Sequence, residues 1–173
     1  MLHVKLAGLG SYLPERRVTS AELLQQWSLP VGYIERAAGV FERRYATGET
    51  TASMAAAACR QALDAAGIDV EQVDAIVGAS TAPQQAIPCT AAFVQRELGA
   101  PDGGSACYDV NATCLSFLVA LHQAAHLVAA GVYGTVLVFS SEFGSRSLNP
   151  RQPQSAILFG DAAAAVVLTR GEA

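Results

Sequence analysis

An α/β fold with a sheet covered on both faces is what this sequence predicts, on two observations. Short apolar runs rich in β-branched residues alternate with longer stretches of helical periodicity, as in chains built from strand–helix–strand units. Four of the five runs are also nearly continuous in apolar or small residues rather than alternating, the pattern of central strands packed from above and below. The predicted strands are residues 4–10, 75–80, 105–110, 136–141 and 163–169, and their short lengths suit a single sheet.

Helical periodicity covers residues 20–27, 51–66, 89–98 and 115–130. Thr19-Ser20-Ala21-Glu22 reads as a capping box, with Thr19 accepting from the backbone of Glu22 and Glu22 reaching back. Gly67 and Gly131 each follow a helical run, where a left-handed residue closes the helix.

With 173 residues, 51% of them apolar, and no Pro/Gly/Ser-rich linker, the chain has the material for one compact domain. Eleven Lys and Arg against fifteen Asp and Glu give a net charge of −4, spread without any basic stripe that would neutralise phosphates. No nucleic-acid partner is expected. The start, Met1-Leu2-His3-Val4-Lys5-Leu6, lacks the apolar stretch of a secretory leader, and no window approaches the roughly 18 apolar residues of a membrane span. A cytoplasmic protein with no membrane partner is expected.

Cys59, Cys89, Cys107 and Cys114 make no C-x-x-C pair and lie near no histidine at ligand spacing, so no metal site or disulfide framework is expected. Cys59, in an alanine run, reads as a small buried hydrophobe, and Cys89 as structural. His122 and His126 stand at i and i+4 on one helix, but without a carboxylate or third ligand they read as surface or packing residues. Asp161, in the turn Phe159-Gly160-Asp161, reads as an acceptor of backbone N–H bonds rather than an acid or base. Glu142 has no basic partner that the sequence identifies.

Cys114 is different. The run 105–110 leads through Asn111-Ala112-Thr113 to Cys114, after which a helical pattern begins, so the thiol stands at a strand-to-helix turn. The N–H groups and positive dipole end of a helix N-terminus favour a thiolate. The same N–H groups can donate to the oxyanion formed when that thiolate attacks a thioester carbonyl. Acyl transfer fits, although on spacing alone a buried packing cysteine fits as well.

Four collinear segments carry a resemblance. Asp109-Val110-Asn111-Ala112-Thr113-Cys114-Leu115-Ser116-Phe117 resembles the D-V-x-A-x-C-x-x-F active-site segment of ketoacyl-ACP synthase III enzymes. Gly8-Leu9-Gly10-Ser11-Tyr12-Leu13-Pro14 resembles their opening strand and turn, and Gly39-Val40-Phe41-Glu42-Arg43-Arg44 their G-I-x-E-R-R segment. Leu158-Phe159-Gly160-Asp161-Ala162-Ala163-Ala164-Ala165-Val166-Val167-Leu168 is similar to the L-F-G-D-G-A-x-A-V-V-L strand that closes the first half of the fold.

The resemblance implies a thiolase-like fold, with residues 1–173 as an amino-terminal half-domain, one mixed-sheet half of a layered α/β/α/β/α architecture. It implies a homodimeric acyltransferase that needs no cofactor. Cys114 would take an acyl group from acyl-CoA or acyl-ACP, and a carbanion from malonyl-ACP would then attack it, giving 3-oxoacyl-ACP in fatty acid or related biosynthesis. The histidine and asparagine that assist in the family belong to the second half, so residues 1–173 alone are expected not to condense. Related acyl transfer by the same cysteine, or a non-catalytic assembly subunit, are the competing expectations.

The chain departs from the family where coenzyme A is held. In W-I-x-x-R-x-G-I the tryptophan corresponds to Tyr33, but the arginine corresponds to Ala37, with Arg36 one place early. A second coenzyme-binding arginine corresponds to Pro153, with Arg151 two places away. Tyr33, Arg36 and Arg151 are therefore candidates for contact with the carrier, and an acyl-ACP donor gains ground. The resemblance also places the loop 82–89 at the dimer interface, with Ile87 where the family often has phenylalanine. The smaller side chain leaves room for further methylenes, each worth about 0.8 kcal/mol on burial, so chains longer than acetyl are expected; the alternative is that Ile87 merely packs the interface.

Overall fold

The computed structural model describes residues 2–171. In chain order its elements are β1 (Val4–Tyr12), β2 (Arg16–Thr19), α1 (Ser20–Gln26), α2 (Tyr33–Ala38), β3 (Glu42–Tyr45), α3 (Thr51–Ala66), β4 (Ala75–Gly78), α4 (Thr90–Leu98), β5 (Ala106–Asp109), α5 (Ser116–Ala129), β6 (Thr135–Phe143), α6 (Pro153–Ala156) and β7 (Asp161–Arg170). They form two compact units. One takes Thr50–Glu142 with β1 and β7 from Ala163 onward; the other takes Leu13–Glu49 and Phe143–Ala162. None of the described helices is long and apolar enough to cross a membrane.

The first unit is built on a five-stranded sheet in the order β1-β7-β6-β4-β5. It is mixed: β5 and β6 run parallel to β4, while β1 runs antiparallel to β7. All four residues of β4 are buried, as are Val136, Leu137, Val138 and Phe139 of β6, because both faces of these strands are covered. Ala120, Ala124 and Val128 of α5 pack with Ala75, Val77, Val136 and Val138 in one cluster. The alanine-rich α3 lies against β1 so closely that Gly8 and Gly10 have no room for a Cβ; one on Gly10 would stand 2.6 Å from the Ala62 nitrogen. Cys59 is fully buried in α3, as expected. Thr50 and Ser53 cap this helix reciprocally, and Gly67 closes it at φ 66°.

In the second unit β2 and β3 pair antiparallel, and Val18, Leu23, Ile34 and Ile157 form a small core. Buried Arg43 ties this unit together by donating to Ser20 Oγ (3.1 Å) and to the Ile157 carbonyl (3.0 Å). Burial pushes its pKa below the usual arginine range, opposed by Tyr45 and Glu35 nearby. Asp161, 2% exposed, accepts from the Ala46 N–H (2.8 Å), the Ser145 N–H (2.7 Å) and Ser145 Oγ (2.6 Å). That is the structural role expected of it.

Three expectations change. The sheet is not alone, since β2 and β3 form a second one. Their sequences, Arg16-Arg17-Val18-Thr19 and Glu42-Arg43-Arg44-Tyr45, carry too few apolar residues to show an alternation; Glu42 pairs with Arg17 and Arg44 at 3.5 and 3.6 Å instead. Strand β5 is not central but the last of its sheet, with Ala106 and Asp109 exposed. An apolar run does not distinguish one neighbouring strand from two. Thr19 accepts from the Glu22 N–H at 3.2 Å as expected, whereas the Glu22 carboxylate turns to Arg16 at 3.5 Å.

Candidate active site

Cys114 sits on an elbow between β5 and α5, two residues before the helix begins at Ser116. Its side chain is exposed, alone in that respect among the four cysteines. The preceding residue, Thr113, has φ 52°, a left-handed backbone that costs a β-branched residue about 1–2 kcal/mol. Such a conformation persists only where its surroundings over-determine it. Here they do so through Ser116, 3% exposed, whose Oγ accepts from the Ala112 N–H (3.0 Å) and donates to the Thr113 carbonyl (2.6 Å). Asn111 Oδ1 adds a bond from the Thr113 N–H at 3.0 Å, an Asx turn.

The N–H groups of Leu115 and Ser116 donate to the carbonyls of Ala112 (3.1 Å) and Thr113 (3.0 Å). These two donors close the elbow and are spent within it.

Asp109, the first residue of the segment that carries Cys114, does its work elsewhere. Its carboxylate accepts from the N–H groups of Thr90 (2.6 Å) and Ala91 (3.0 Å), capping α4 across space. A carboxylate on the free N–H groups of a helix start is a charge-assisted arrangement. It anchors α4, and with it the end of the loop 82–89, to the strand that leads to Cys114.

Beside this anchor lies an open cavity of about 320 Å³, lined among others by Gly78, Ser80, Cys89, Cys107, Asp109 and Asn111. Ile87 is not part of the lining; it stands 84% exposed on the loop, after which the Ile87–Pro88 peptide is cis. Tyr33, Arg36 and Arg151 all lie in the other unit. Tyr33 opens α2, half-buried against the small core. Arg36 is exposed with its guanidinium folded against Gly32, and Arg151 is exposed with its N–H donating to Asn149 Oδ1 at 3.0 Å.

Two of the other thiols are held back. Burial, with Cys89 and Asp109 nearby, pushes the Cys107 thiol up to about 11, and burial raises that of Cys59 as well. Because the thiolate is the reactive form, iodoacetamide at pH 8 is expected to label Cys114 first, half-buried Cys107 far more slowly, and Cys59 only after unfolding, as peptide mapping by mass would record. The raised Cys107 value also sets a sign. Its unfolded thiol ionises first, so this contribution to stability is whole below about 9 and lost as pH climbs towards about 11.

Sequence reasoning missed the partners that shape the elbow: Asn111, Ser116, and Thr81 and Glu142, which reach it from a distance. The Asx signal of Asn111 two residues before Thr113 was legible; the rest is long-range.

The family described as 3-oxoacyl-[acyl-carrier-protein (ACP)] synthase III matches residues 108–173. A β-ketoacyl-[acyl-carrier-protein] synthase III of Rhodospirillum rubrum is 43% identical over 164 residues, covering 94% of this chain and 50% of that protein. The crystal structure of 3-oxoacyl-[acyl-carrier-protein] synthase III from Aquifex aeolicus superposes with a TM-score of 0.93 at 35% identity, over 98% of this chain and 55% of that one. The priming β-ketosynthase of the R1128 polyketide pathway gives 0.91 at 31%, over 98% and 51%. The chain spans about half the length of the curated relatives it matches.

Proposed function

We propose, for a chain that belongs to the 3-oxoacyl-[acyl-carrier-protein] synthase III family and shares its thiolase-like α/β fold, that Cys114 is the residue that accepts an acyl group. The observation that carries this is the exposed thiol on a strained elbow at the start of α5, inside the matched segment. The Cys114 thiolate attacks the carbonyl of an acyl thioester, the tetrahedral intermediate expels the carrier thiolate, and the acyl group stays on sulfur. In the whole protein a carbanion from decarboxylated malonyl-ACP then attacks this thioester, releasing 3-oxoacyl-ACP and the free thiol.

Residues 1–173 correspond in this reading to the amino-terminal half of each subunit of a cytoplasmic homodimer. Condensation waits on the histidine and asparagine of the second half, whereas the first acylation is the task of Cys114. With Ala37 and Pro153 where the family holds coenzyme A, the donor is acyl-ACP, or acyl-CoA held by Tyr33, Arg36 and Arg151 in a displaced manner. Ile87, in place of an aromatic ring, admits acyl chains longer than acetyl.

Intact mass after incubation of the full-length protein with acyl-CoA and acyl-ACP thioesters tests this. The expected result is one acyl adduct that Cys114→Ala abolishes. Absence of an adduct with every donor overturns the acyl-transfer reading in favour of a non-catalytic subunit.

A further inference from the structure

We propose that Glu142 and Asn111 are positioning residues that set the Cys114 elbow through Thr81, an assignment that rests on the reading of Cys114 as the nucleophile. Glu142 lies near the end of β6 and is 61 positions from Thr81, yet its Oε1 accepts the Thr81 N–H at 2.5 Å. Thr81 in turn offers its carbonyl to Asn111 Nδ2 at 2.9 Å. The other end of the same amide, Oδ1, accepts the Thr113 N–H at 3.0 Å. A continuous chain of hydrogen bonds thus runs from a carboxylate on β6 to the left-handed residue that precedes the nucleophile.

The chemistry of each link decides which side chain can serve. Asn111 needs one donor and one acceptor at once, since a carbonyl faces one end and an N–H the other. Aspartate keeps the Thr113 bond but sets an oxygen against the Thr81 carbonyl. Glu142 needs only an acceptor, so glutamine serves in its place through its amide oxygen. Thr81 is held from both sides and opens the loop that ends at α4. Without Glu142 it loses the bond that orders it, and Asn111 loses a fixed partner. The elbow then samples conformations in which the thiol is misaimed, and displacements of about 1 Å at a reacting atom cost as much as a hundredfold in rate.

The test compares Glu142→Ala, Glu142→Gln, Asn111→Asp and wild type in the full-length protein. Three readouts are taken: the acylation rate of Cys114, with its KM and kcat separated; the rate of Cys114 alkylation by iodoacetamide against pH; and the urea midpoint. The expected result is a loss of about tenfold in kcat for acylation in Glu142→Ala and Asn111→Asp. KM changes little, the alkylation profile shifts, and Glu142→Gln recovers to within about twofold. A Glu142→Gln variant as impaired as Glu142→Ala would overturn the proposal, because Glu142 would then act through its charge. So would alkylation profiles that match wild type in both disrupted variants. If no variant, wild type included, takes an acyl group, the acyl-transfer reading falls by itself; the alkylation profiles still decide whether Glu142 and Asn111 set the elbow.

Discussion

Gly10→Ala is expected to lower stability by about 3 kcal/mol, seen as a fall in the urea midpoint with unchanged slope. A single methyl is enough because what it meets is backbone. The new Cβ would overlap the Ala58 carbonyl oxygen, stand 2.6 Å from the Ala62 nitrogen and touch the Gln61 Cβ at 3.0 Å. Helix backbone has no rotamer with which to step aside, so α3 as a whole must lift from β1, and its buried Ala55, Ala58, Cys59 and Ala62 lift with it. Marginal stability of about 5–15 kcal/mol leaves little margin for that. Gly8→Ala should repeat the effect, since its Cβ would stand 2.8 Å from the Ala66 nitrogen. A loss below 1 kcal/mol in either variant would show that the helix moves freely over the strand.

Asp161→Ala is expected to cost about 4 kcal/mol, in the range for breaking a buried, fully bonded charged group. Three donors would be stranded at once: the N–H groups of Ala46 and Ser145 and the Ser145 hydroxyl. Ala46 belongs to the stretch Leu13–Glu49 and Ser145 to Phe143–Ala162, so Asp161 joins the two excursions that make the second unit. Asp161→Asn keeps an acceptor but turns an NH2 group towards donors, and should lose about half as much. Equal stability of all three proteins by urea denaturation would refute the account.

The contrast between these residues and others explains what the sequence discloses. The central strands are legible because β4 is buried throughout and β6 is buried from Val136 to Phe139, and continuous apolar runs have few other uses. The pair β2 and β3 is illegible because its inward positions are taken by Val18 and an arginine, Arg43, whose burial depends on Ser20 and the distant Ile157 carbonyl. The turn at Cys114 is legible because its setting is local, a strand followed at once by a helix. Glu142 and Asp109 are not. Their partners, Thr81, Thr90 and Ala91, lie 61, 19 and 18 positions away, brought near only by the parallel order of β5, β4 and β6.

Thr113 carries a consequence for anyone who would redesign this chain. A threonine at φ 52° stands where glycine would be at ease, so an algorithm ranking substitutions by conformational energy will nominate glycine there. The exchange would relieve about 1–2 kcal/mol while granting the segment ahead of Cys114 the freedom that Ser116 and Asn111 now deny it. If Cys114 is the acyl acceptor proposed above, optimising for heat and optimising for acylation are opposed at this one residue, and a thermostable variant with a sluggish thiol is the expected outcome.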